Sequence, residues 1–189
     1  MASMTVRDLE QVQSALAEAG LDYRVELEQG KLEVVGPSDI ISSEIGAELI
    51  RILGNWVRPR RLGRVFDSAR GFILSNRDLK APDVAFVRAA RLKQSVRYFG
   101  QLTPDLVVEI KSQSDRLSVL KAKLDRFLAE GAQVGILIDP DEQTVTVYRV
   151  AEEQVVLGSE DVLTLPDLLP GWECPVNTLW PPVFEENDG

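Results

Sequence analysis

Leu106-Val107-Val108-Glu109-Ile110-Lys111 decides how this chain is read. Side chains alternate across a strand, so Leu106, Val108 and Ile110 share one face while Val107, Glu109 and Lys111 share the other. A carboxylate in the middle of an apolar strand is costly to bury unless a cation or a metal ion meets it. The plain alternative is a Glu109–Lys111 ion pair on a half-exposed strand.

Working outward, Ala81-Pro82-Asp83-Val84-Ala85-Phe86-Val87 places a second carboxylate at the head of another apolar strand. Taken alone, Asp83 after Pro82 also reads as a turn residue. If the two strands are neighbours, Asp83 and Glu109 can converge on one cation. A third acid, Glu44, lies on a helix one turn from Glu48, from where it could reach a metal at the sheet edge. Glu48 has Arg51 three residues on and reads equally as a surface pair.

The remaining periodicities supply the frame. Residues 5–19 read as a helix with Gly20 as its stop. Residues 23–27 and 31–35 form a hairpin around Glu28-Gln29-Gly30, and Gly36-Pro37-Ser38-Asp39 breaks the chain. A helix runs over 40–57, with Ile41, Ile45, Leu49, Ile52 and Trp56 inward and Pro59 as its end. Short strands follow at 64–67, 71–74 and 84–87, then a basic loop with some helix at 88–97. The deciding strand spans 105–111. A helix at 115–130, closed by Gly131, leads to strands at 134–138 and 144–150. The strand–helix–strand unit implies a right-handed crossover. The expected fold class is α/β: a mixed β-sheet flanked by helices in a single domain over 1–189. Residues 1–22 form an N-terminal helical extension and 181–189 a mobile acidic tail.

Composition narrows the chemistry. The 189 residues include no histidine and one cysteine, Cys174. Histidine-based acid–base pairs, His-ligated zinc and an internal disulfide are therefore excluded. Any metal must sit on oxygen ligands, which suit Mg2+ or Mn2+. No secretory signal or apolar run long enough for a membrane is visible, and a cytoplasmic location fits best. The net charge is −9, yet residues 51–100 carry 12 basic and 3 acidic side chains. That block can attract a polyanion although the whole chain is acidic; its plain reading is an unevenly charged solvated surface.

The ordered set of Glu, Pro-Asp, apolar strand-Glu-x-Lys and amphipathic helix resembles the PD-(D/E)xK nuclease superfamily. More closely it resembles the putative restriction endonuclease family abundant in cyanobacteria, long catalogued as a domain of unknown function. The marks are Ser43-Glu44-Ile45, Gly63-Arg64-Val65-Phe66-Asp67-Ser68, Ala81–Ala85, Pro104–Ser112, Lys123 and Asp167–Trp172. The resemblance implies a restriction-endonuclease-like core in which Asp83 and Glu109 bind metal, Glu44 is the helix glutamate and Lys111 is the superfamily lysine. Family members often carry their lysine on the following helix instead, and Lys123 matches that place.

The implied activity is metal-dependent hydrolysis of DNA phosphodiester bonds, with Mg2+ (or Mn2+) polarising the phosphate and activating water. Arg58, Arg60, Arg61, Arg64 and Arg70 are candidates for backbone contacts. A homodimer would provide the two cuts that a duplex needs. The alternative is a catalytically idle nuclease fold serving as a nucleic-acid- or protein-binding module.

Overall fold

Helix α1 (Val6–Glu18) leads into the hairpin of β1 (Arg24–Glu28) and β2 (Lys31–Val35), then helix α2 (Ile40–Arg60). Strands β3 (Gly63–Asp67), β4 (Phe72–Ile73), β5 (Leu79–Lys80), β6 (Val84–Arg88) and β7 (Leu106–Ile110) precede helix α3 (Leu117–Ala129). Strands β8 (Val134–Asp139), β9 (Thr144–Tyr148), β10 (Val155–Leu157), β11 (Val162–Thr164) and β12 (Glu173–Pro175) complete the chain, with a 3-10 turn at Val176–Leu179. This computed structural model describes residues 3–21, 23–36 and 38–184. Expectations for Met1, Ala2, Asp22, Pro37 and the acidic stretch 185–188 fall outside the described residues.

The main sheet has six strands in the order β10-β9-β8-β7-β6-β3. Only β7 and β8 run parallel, joined across α3, and the other pairs are antiparallel. The crossover read from residues 105–138 is therefore present, within a mixed sheet. Apolar side chains of both faces are buried. One face packs Ile45, Leu49, Leu53 and Val57 of α2 onto Val84, Phe86, Val108 and Ile110, with Leu163–Trp172 closing the layer. The opposite face packs Leu120, Leu124 and Phe127 of α3 onto Ala85, Val87, Val107 and Leu137. A strand buried on both faces reads as a continuous apolar run, which is what 106–110 is.

A second sheet, β2-β1-β5-β4, stands beside the first. It has its own small core of Leu9, Val25, Leu27 and Leu79, so α1 is packed onto the hairpin. Asp8 and Thr5 cap α1 reciprocally: the Asp8 carboxylate accepts from Thr5 N at 2.8 Å and Asp8 N donates to Thr5 Oγ1 at 3.3 Å.

Three local departures have physical reasons. Helix α2 runs through Pro59 to Arg60 rather than stopping short of it. A proline in the final turn costs few backbone bonds, and Arg61 at φ 55° with Leu62 N donating to Val57 O at 3.1 Å makes the left-handed cap. The basic segment after β6 contains turns but no helix. Strands β5, β10, β11 and β12 were not anticipated, because two or three residues are too few to show a period of two. No helix among the described residues is long and apolar enough to cross a membrane.

Candidate active site

The β6–β7 ladder pairs Val84 with Val108 and Ala85 with Val107. One more step of that register sets Asp83 opposite Glu109, on the face that α3 covers. The ladder does not continue with backbone bonds there. Instead Ile110 N donates to Asp83 Oδ2 at 2.8 Å, which fixes the aspartate against the end of β7. The two acids singled out in the sequence thus stand on neighbouring strands.

Lys123, on α3, fills the space beside them. Its Nζ lies 3.0 Å from Glu109 Oε1, 3.2 Å from Glu26 Oε1 and 3.1 Å from Ala81 O. An ammonium has three protons, and three acceptors surround this one. Glu26, on β1, is only 5% exposed and also accepts from Ala81 N at 3.0 Å and pairs with Lys80 at 3.1 Å. Lys80 in turn pairs with Glu28 and Glu33, and Arg126 of α3 with Glu28. An alternating network of charges therefore runs from the hairpin to the end of β7.

Burial sets the ionisation of this cluster. Glu109 is 2% exposed, and burial pushes its pKa up to about 8; Lys123 draws it down and Asp83 raises it again. Burial also lifts Asp83 above the usual aspartate range, against the pull of the Ile110 N–H and Lys123. For Glu26, burial raises the pKa, but Lys123 and Lys80 outweigh it and hold the carboxyl low. Lys123 resists its own burial: Glu109, Glu26 and Asp83 keep it above the ordinary lysine range. It is a permanent cation at neutral pH and is unsuited to act as a general base.

Other expected site residues stand elsewhere. Lys111 lies one residue beyond β7, and its ammonium pairs with Asp141 in the turn after β8. That hydrogen bond leads the causes that raise its pKa; the acids involved are Asp141, Asp139 and Asp115. Glu44 lines a groove of about 780 Å³ with Glu48, Arg51 and residues 177–182. The cleft beside Asp83 is a different one, of about 300 Å³, lined by Ser38, Ser42, Ser43, Ser68 and Asp67 among others. The expected three-acid site of Asp83, Glu109 and Glu44 is therefore not formed. Successive helical residues diverge by about 100°, so the face bearing Ser42, Ser43 and Gly46 meets the cleft while Glu44 turns aside. The Glu48–Arg51 pair is present. Among the described residues, no group of three acids or cysteines is gathered to hold a metal ion.

The arginines divide. Arg58, Arg60 and Arg61 are exposed at the end of α2, with Arg60 over the Trp56 ring at 3.5 Å. Arg64 donates to Leu92 O and Lys93 O, and Arg70 to Tyr98 O, so both also tether the basic loop.

A family model covering residues 8–177 matches this chain. The chain belongs to the Uma2 family of putative restriction endonucleases. A crystal structure of a putative nuclease of DUF820 from Anabaena variabilis superposes on the Uma2 chain with a TM-score of 0.76 at 24% identity. The match covers 86% of this chain and 94% of the other, and at that identity it establishes the fold. No curated protein matches in sequence. In this Uma2 member the restriction-endonuclease-like core, a mixed sheet flanked by helices, is as the sequence implied.

The donor chemistry of the site suits a hard divalent ion. Glu109 Oε1 is buried and, apart from its charge contact with Lys123, makes no hydrogen bond; Asp83 stands across from it. Two carboxyl groups with the Ala81 carbonyl in the same cluster are oxygen donors of the kind that Mg2+ or Mn2+ takes, water and substrate being able to complete the shell. The acid that sequence reasoning missed is Glu26. The signal was available: Val25-Glu26-Leu27 is another carboxylate inside an apolar strand.

Proposed function

We propose that this Uma2 protein is a metal-dependent endonuclease that hydrolyses DNA phosphodiester bonds, with Asp83 and Glu109 holding Mg2+ or Mn2+. The observation that carries the reading is the placement of those two acids opposite each other at the end of the β6–β7 ladder, beside the partly buried Lys123. Structural ion pairs also occur inside proteins. What distinguishes this one is an excess of carboxyl groups around one cation: Glu26 and Glu109 contact Lys123, and the partly buried Asp83 acts on it through its charge. A divalent ion balances that excess.

The ion, when bound, polarises the phosphoryl oxygen and lowers the pKa of its water. The protein's own groups do the rest. Asp83 and Glu109 orient the ion, and the Ile110 N–H holds Asp83 in place. Lys123 supplies fixed positive charge toward the negative charge that develops in the transition state. Hydroxyls of Ser38, Ser42, Ser43 and Ser68 line the cleft next to Asp83, where a phosphodiester backbone would enter. Arg58, Arg60 and Arg61, exposed at the C-terminal end of α2 away from that cleft, offer charge for more distant backbone contacts. Lys111 and Glu44 are assigned supporting surface roles outside the chemistry.

A homodimer would present two such sites to the two strands of a duplex, and a cytoplasmic location would place it with DNA. The lack of a third gathered acid favours, as a second reading, a nuclease fold that binds nucleic acid without cutting it. Plasmid cleavage with Mg2+ or Mn2+ separates the two. The expected outcome is cleavage by wild type and Lys111→Ala, with loss in Asp83→Asn and Glu109→Gln. Equal cleavage by all four marks a contaminant, and retention of plasmid binding without cleavage by any supports the second reading.

A further inference from the structure

The hairpin sheet sends one side chain into the active site, and no motif of the nuclease core calls for it. Strand β1 meets β5 with Leu27 opposite Leu79, which brings Glu26 beside Lys80 and Ala81. Both oxygens of Glu26 are engaged: Oε1 by Ala81 N and Lys123 Nζ, Oε2 by Lys80 Nζ. Lys123 also donates to Ala81 O. Glu26 and Lys123 thus grip both polar groups of Ala81, two residues before Asp83. Pro82 between them has no N–H and a fixed φ, so the grip is passed on to Asp83 with little slack.

We infer that Glu26 is a positioning residue that retains Lys123 in the active site when a divalent cation engages Glu109. This rests on the reading of Asp83 and Glu109 as metal acids. The reason is a competition of charges. In the metal-free site the ammonium lies against two carboxyl groups, those of Glu109 and Glu26. A divalent ion on Glu109 satisfies that carboxylate and repels the ammonium a few ångströms away. Glu26 is then the one remaining carboxylate in contact with it among the described residues, together with the neutral Ala81 carbonyl. Without Glu26 the long lysine side chain is free to swing to solvent, because Lys123 is still 19% exposed. Lys80 does not need Glu26 in the same way, since it keeps Glu28 and Glu33.

Glu26→Gln tests the tether. Glutamine keeps the size and the acceptor for Ala81 N but removes the charge. The first readout is the Lys123 ammonium cross-peak in lysine-detected 1H–15N NMR, assigned by its absence in Lys123→Met. Wild type is expected to keep that peak both metal-free and with saturating Mg2+. Glu26→Gln is expected to keep it metal-free and lose it with Mg2+. The second readout is cleavage, where kcat falls on the order of tenfold or more while KM stays within about twofold. Glu26→Asp, which keeps the charge, restores the peak and part of the rate, and it serves if the glutamine variant fails to fold. A peak that persists in Glu26→Gln with Mg2+, with cleavage near wild type, overturns the tether. If wild type cleaves nothing while the peak depends on Glu26 as described, the nuclease reading fails and the tether stands.

Discussion

Lys123 Nζ lies 3.0 Å from Glu109 Oε1, the lysine on α3 and the acid on the strand that α3 follows. The crossover from β7 to β8 carries its helix back over the sheet, so a residue fourteen positions downstream arrives where Lys111, two positions downstream, does not. That geometry ranks the two lysines.

Lys123→Met is expected to lower plasmid cleavage by about 100-fold or more, the range for loss of a positioned charged or proton-transfer group. Lys111→Ala, which breaks a contact with the exposed Asp141, is expected to leave the rate within about threefold and stability nearly unchanged. The reverse ranking in a cleavage assay would return the role to Lys111.

The proton on Glu109 couples stability and metal binding to pH. Its pKa is about 8 in the folded chain, against 4.5 for the ordinary group. The folded state thus holds a proton that the unfolded chain gives up. The associated stability is fully present below pH 4.5, erodes as pH rises, and is gone above about pH 8. Thermal melts of metal-free protein should show Tm falling between pH 6 and pH 8, by the sign of that shift. Glu109→Gln should flatten the fall. Metal must displace the same proton, so calorimetry should find tighter Mn2+ binding as pH rises toward 8, with proton release near pH 7. A pH-independent affinity across that window would contradict the assignment.

Gly63 opens β3 against the partner strand, and a Cβ there would collide with Val87 O and come within 2.5 Å of Phe86 Cε2. Gly63→Ala should cost about 1–3 kcal/mol by overpacking. Chemical denaturation measures it, and a neutral substitution would show that β3 can shift without loss.

Arg58, Arg60 and Arg61 should contribute to DNA affinity through charge alone. Replacing all three by glutamine is expected to reduce the slope of log K against log salt by about 2–3, near 0.9 per phosphate contact. Filter binding at several salt concentrations reads it out. Arg64→Gln and Arg70→Gln should chiefly loosen the loop they tether, seen as faster hydrogen exchange around residues 92–98.

Most of the frame was legible because burial writes periodicity into sequence. The apolar run at 106–110, the stripe Ile45-Leu49 on α2 and the alternation at 144–148 each announced their element. Asp83 and Glu109 were legible for the converse reason, as carboxylates where apolar residues belong. Glu44 and Lys111 were misplaced because sequence spacing fixes a face only while the element continues in the expected frame. Lys111 falls just past the strand, and Glu44 sits one helical step from the face that meets the cleft. Glu26 escaped because its role depends on how two separate sheets meet, which no local pattern records.

That meeting makes the frame of the hairpin matter for chemistry. Successive residues of β1 point to opposite sides, so moving β1 by one residue against β5 would withdraw Glu26 and offer Val25 or Leu27 to Lys123 in its place. A single-residue insertion or deletion within β1, between Glu26 and Leu27, would therefore be felt beside Lys123, although it touches no catalytic motif. One absorbed in the turn at Glu28-Gln29-Gly30 would leave β1 in step and go unnoticed there.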